Sequence, residues 1–145
     1  MNTYLNRLRE LLDTYSEELR AANQKRKPVS GLLGIGPGPG DDPCHDRLDQ
    51  AVASLVDDML RDPAGLSEAG PVVSLLLRAE SEGSWPEPAR LMLLAVQRHA
   101  LPLFPFLDRE TREELYAWYE KRHPRSRRFP LQKQILAALK KEDPR

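Results

Sequence analysis

The stretches PVVSLLL at residues 71–77 and LMLLAVQRHA at residues 91–100 decide the fold. Each is apolar around most of the circumference of a helix, and a helix without a polar face belongs at the centre of a domain. Val73, Leu76, Leu77, Leu91, Leu94 and Val96 are therefore expected among the most buried side chains. Gly70-Pro71 opens the first of these helices and Gly83 closes it. Ser84 or Trp85, followed by Pro86 and Pro88, opens the second.

Outward from this pair, the remaining segments read as amphipathic helices. Toward the N-terminus, Tyr4, Leu5, Leu8, Leu11, Leu12, Tyr15, Leu19 and Ala22 repeat at helical spacing, with Asn2 or Thr3 as the cap. Asp42-Pro43 starts a helix carrying Leu48, Ala51, Val52, Leu55, Val56 and Met59 to about Arg61. Toward the C-terminus, Leu101 to Leu107 reads as irregular but apolar. Asp108 then caps a helix through Leu115, Trp118 and Tyr119, which His123-Pro124 stops. Pro130 opens a last helix with Leu131, Ile135, Leu136, Ala138 and Leu139.

No alternating strand pattern competes. The expectation is an all-α, irregular or orthogonal bundle of about six helices forming a single domain over residues 1–145. The chain of 145 residues, 40% hydrophobic and 30% charged, is long enough for a real core and outside the range of disordered sequences. The segment 27–42, with GLLGIGPGPG at 31–40, reads as a loop. Its Leu32, Leu33 and Ile35 are expected to strap it onto the helices.

Cys44 is the only cysteine, which excludes an intramolecular disulfide and favours a reducing compartment. The N-terminal twenty residues alternate charge with leucine and lack the apolar core of a signal peptide. No apolar run approaches the roughly 20 residues that a membrane span needs. A cytoplasmic protein is the expectation.

The four glycines at 34, 36, 38 and 40 match neither phosphate-loop spacing, and Pro37 and Pro39 remove two backbone donors, so no nucleotide cofactor is implied. Cys44 and His45 lie in the first turn of a helix among Asp41, Asp42, Asp46 and Asp49. With the remote His99 they are the weak candidates for a thiol or metal site, against the simpler reading of a capping turn. Asp57-Asp58 and Glu113-Glu114 are adjacent and diverge on a helix, which gives no shared-proton pair. No catalytic residue set is present.

Charge carries the remaining signal. The formal charge of zero divides into +2 over residues 1–27, −9 over 41–120 and +7 over 121–145, the last from nine basic and two acidic side chains. Within KRHPRSRRFPLQKQ, the residues Lys121, Arg122, Arg125, Arg127, Arg128 and Lys133 cluster around two prolines just before a helix start. That placement suits carboxylate or phosphate recognition. The bland alternative is a solvated turn neutralised by Glu110, Glu113, Glu114 and Glu120. The expected function is a non-catalytic helical interaction module whose partner is another protein or a second copy. A nucleic-acid accessory role of the basic C-terminal edge is the alternative, and the site near Cys44 and His45 the third reading.

Overall fold

Leu5, Leu8, Leu12, Tyr15 and Leu19 form the buried stripe of α1 (Thr3–Arg26), at the three- and four-residue spacing the sequence predicts. The computed structural model describes residues 3–26, 43–82, 85 and 87–140, with the side chains of 22–26, 43, 44, 87 and 88 outside that description. The loop at 27–42 and its expected docking also lie outside. Among the described residues there are six α-helices and no strand: α1, α2 (Pro43–Leu60), α3 (Ala69–Glu82), α4 (Glu87–Val96), α5 (Arg109–Arg122) and α6 (Pro130–Lys140). All six contribute to one buried apolar cluster. No helix among them is long and apolar enough to cross a membrane.

α1 and α2 pack antiparallel, because Arg7 near the start of α1 pairs with Asp58 near the end of α2 at 2.8 Å, while Glu18 and Arg47 pair at the other end. The N-terminus of α1 is capped from a distance. Thr3, an expected cap, is already helical. Instead the buried Glu68 Oε1 accepts from the backbone N–H groups of Tyr4 and Leu5, at 2.8 and 3.0 Å. A carboxylate there satisfies two orphan donors and meets the positive end of the helix dipole.

α3 is the central element. Ala69, Val72, Val73, Leu76, Leu77, Ala79 and Glu80 are all buried, and only Pro71 and Glu82 are exposed. α4 is one-sided where the sequence reading made it buried all round. Ala89, Leu93, Leu94 and Val96 face inward, but Leu91 is 44% exposed. At 100° per residue Leu91 lies about 200° from both Ala89 and Leu93, and so on the opposite face.

The expected helix to Ala100 ends at Val96, and the expected irregular stretch is a continuous 3-10 helix, Gln97–Phe106. Pro102 and Pro105 have no N–H for an i−4 carbonyl and their rings would clash with it, so the α geometry stops. The tighter turn of three residues places Gln97, Ala100 and Leu103 on one buried face, with Phe104 beside them. α5 begins as predicted, Asp108 accepting from the Thr111 N–H at 2.7 Å. In α6, Ile135, Leu136 and Leu139 are buried.

Gly65 supports the join between α1 and α3, since a Cβ there would sit 2.4 Å from Tyr4 Cε2, whose hydroxyl donates to Asp62 at 2.8 Å. At Gly70 a Cβ would meet nothing closer than the Thr111 methyl at 3.7 Å. Gly65→Ala should therefore lower stability in urea by about 1–3 kcal/mol through overpacking. Gly70→Ala should be neutral or stabilising by up to about 1 kcal/mol. Equal effects of the two substitutions would contradict this packing.

Candidate functional site

The basic segment forms the corner between α5 and α6, and its course is set by prolines. His123 precedes Pro124, adopts the extended conformation that proline imposes on its neighbour, and ends α5. Arg125–Arg127 make one 3-10 turn, closed by the Arg127 N–H donating to the Pro124 carbonyl at 2.9 Å. Pro130 is the first residue of α6. The Gln132 side chain reaches back from the first turn, and its Oε1 accepts from the Phe129 N–H at 2.9 Å. That is one half of a capping box.

Gln132 also turns the corner inward. With Oε1 occupied, its Nε2 donates to His123 Nδ1 at 3.0 Å. The neutral imidazole then carries its proton on Nε2. The His123 carbonyl accepts from Arg128 Nε at 2.8 Å, and the ring lies 4.4 Å from that of Tyr119. Tyr119 donates to Gln97 Oε1 at 2.7 Å, and Gln97 Nε2 donates to the Leu77 carbonyl at 3.4 Å. A chain of polar contacts thus runs from the surface turn to the central helix.

At its inner end Glu80 is a fully buried carboxylate. Its Oε2 lies 3.9 Å from Arg90 Nη1 and 4.0 Å from Arg122 Nη2, and its Oε1 lies 3.8 Å from His123 Nε2. These are ion-pair distances, too long for hydrogen bonds, and neither oxygen has a hydrogen-bond donor among the described residues. Burial, followed by the charges of Arg122, Arg128 and Arg90, holds the His123 imidazole neutral down to about 4. Burial and the Glu80 charge push the Tyr119 phenol well above its ordinary value.

The six predicted basic residues separate into two sets. Arg122 leans toward Glu80 and Arg128 is tied to the His123 carbonyl. Lys121, Arg125, Arg127 and Lys133 are exposed, and among the described residues no carboxylate pairs with them. The α5 carboxylates do not neutralise the corner: Glu113 pairs with Arg109 at 3.1 Å, Glu114 faces Arg78 at 3.9 Å, and Glu120 accepts from the Tyr116 hydroxyl at 3.2 Å. Phe129 stands among the cations, 51% exposed.

The residues around Cys44 are engaged structurally. His45 is buried with Nδ1 2.6 Å from the Tyr15 hydroxyl, and Tyr15 stacks on Trp85 at 5.9 Å. His99 Nε2 lies 2.9 Å from Asp49, which Arg98 also holds. The Cys44 side chain lies outside the described residues. Among those described, no group of three His, Cys, Asp or Glu could hold a metal ion.

Sequence reasoning missed Glu80, Arg90, Gln97 and Gln132. Two of these had a signal. Glu80 falls three and four residues after Leu77 and Leu76, on the apolar stripe of α3, and Gln132 stands at the capping-box position behind Pro130. No family model, curated protein or solved structure matches the chain.

His123 gives a pH test. An unfolded histidine titrates near 6.5, so between about pH 6.5 and pH 4 the unfolded chain binds the extra proton and stability falls as acid is added. The loss from this group approaches about 3 kcal/mol below the folded pKa. Denaturant melts of the parent and His123→Asn should show the parent's advantage shrinking through that window. An advantage that stays constant would contradict the neutral, buried imidazole.

Proposed function

We propose that this chain is a non-catalytic interaction module that presents the α5–α6 corner to an acidic protein surface. The observation that carries this reading is the outward set of Lys121, Arg125, Arg127 and Lys133, exposed and without carboxylate partners among the described residues, around the exposed Phe129. A cation held by a buried carboxylate, as Arg122 is by Glu80, has less to give a partner. Unpaired ones attract an acidic surface and set its approach. Phe129 supplies the apolar anchor that charge alone lacks, since aromatic residues concentrate binding energy at interfaces.

Support behind the corner favours recognition over a merely solvated turn. His123, Gln132 and the Arg128 tether hold the backbone that carries these side chains. A surface held in place loses less entropy when a partner docks. The −9 balance of residues 41–120 disfavours a broad polyanion footprint, so the electrostatics favour a local acidic patch on a protein.

The test is fluorescence anisotropy with a labelled Asp/Glu-rich peptide containing one phenylalanine, beside single-stranded RNA and duplex DNA of equal length. The peptide should bind. Replacing Arg125, Arg127 and Lys133 with alanine should weaken it about 10- to 100-fold at unchanged melting temperature, because exposed pairs are each worth about 0–1 kcal/mol. Tighter binding of nucleic acid, with log affinity falling by about 0.9 per phosphate contact against log salt, would replace this reading with the nucleic-acid one. Binding of neither would overturn both.

A further inference from the structure

We propose that the acidic partner is a second copy of this chain, docked antiparallel along α5. The proposal rests on the basic corner being the working surface. Glu110, Glu114, Ala117 and Lys121 lie on one line of the helix, and with Glu113 all are exposed, while Leu115 and Tyr119 on the opposite side are buried. Charge along this line is segregated. On the line itself Glu110 and Glu114 occupy the first half, with Arg109 beside them held by Glu113, and Lys121, followed beyond the helix by Arg125 and Arg127, occupies the second.

Two such helices related by a twofold axis near Ala117 set the acidic half of each against the basic half of the other. One patch then contacts its own copy and the assembly closes as a dimer. A parallel pairing would place like on like. The antiparallel arrangement also opposes the two helix dipoles favourably. Ala117, small and exposed at the midpoint, lets the axes approach.

The existing partners of the carboxylates do not prevent the exchange. Glu113 and Glu114 face Arg109 and Arg78 with side chains 69% and 72% exposed, so their acceptor capacity stays open to solvent. Glu120, the carboxylate within the basic half, takes the Tyr116 hydroxyl. Phe106, 49% exposed, lies just before α5, and Phe129 lies beyond its end. A contact one helix long falls below the usual area of a permanent interface, so the dimer is weak and salt-sensitive.

Sedimentation velocity on the full chain tests this. At low ionic strength the parent should shift from monomer to dimer with rising concentration, and about 0.5 M salt should reverse the shift. A Glu110→Lys, Glu113→Lys, Glu114→Lys variant and a Lys121→Glu, Arg125→Glu, Arg127→Glu variant should each be folded by circular dichroism and monomeric. Mixed in equal amounts, they should form a heterodimer. A parent that stays monomeric up to about 1 mM, or a dimer that both variants retain, would overturn the proposal. So would folded variants whose mixture stays monomeric. If the monomeric parent still binds the acidic peptide, the interaction reading stands and only the self-pairing fails; loss of both removes both.

Discussion

The carboxylate of Glu80 sits on a helix that has almost no solvent face, and much of the C-terminal half of the molecule is arranged around that fact. An ionised group in an apolar interior costs several kcal/mol unless opposite charge is brought to it. α3 offers none beside it, since the neighbouring positions are filled by Leu76, Leu77 and Ala79 and the one arginine of the helix, Arg78, faces Glu114. The compensating charge comes from two other elements, Arg90 of α4 and Arg122 at the end of α5, with His123 turned in beside them. Both arginines keep part of their surface in water, where a guanidinium is well solvated. Glu80 thereby ties the end of α5 to the centre of the bundle.

The residues after Arg122 inherit that position. His123 is packed against Tyr119 and bonded to Gln132, and Gln132 in turn starts α6 by holding the Phe129 amide. The same few residues end one helix and begin the next, directly after the arginine that faces the buried charge. Arg122 and Arg128 are engaged in this internal structure, and the cations that remain point outward. A cluster of six basic residues in the sequence is thus two tied to internal acceptors and four without a carboxylate partner among the described residues, a difference that charge counting alone does not reveal.

Helix bounds were legible where the chain carries its own punctuation: Pro43 and Pro130 at first positions, Asp108 as a cap, His123-Pro124 as a stop. The core positions of α1, α2 and α6 followed from spacing, and those of α3 from its apolar circumference. Leu91 did not, because a short helix rich in leucine looks buried all round until its neighbours decide which side they cover. The 3-10 run from Gln97 to Phe106 was hidden for a related reason. Its three-residue repeat of buried positions imitates an irregular apolar stretch when read against a period of 3.6. The Glu68 cap and the Glu80 ion pairs lie beyond any local reading, since each joins residues brought together only by tertiary packing. At the corner, the residue types and the helix start were visible in KRHPRSRRFPLQKQ, but the division of its charges depended on Glu80 and His123.

The claim that a buried polar frame holds the corner in place is tested most directly by amide hydrogen exchange in Gln132→Ala. The frame predicts that protection falls at Phe129 and across residues 123–133, while the amides of α3 and of the 3-10 helix keep parental rates. Unchanged exchange at Phe129 would contradict it, because the corner would then be held by something other than Gln132 and His123.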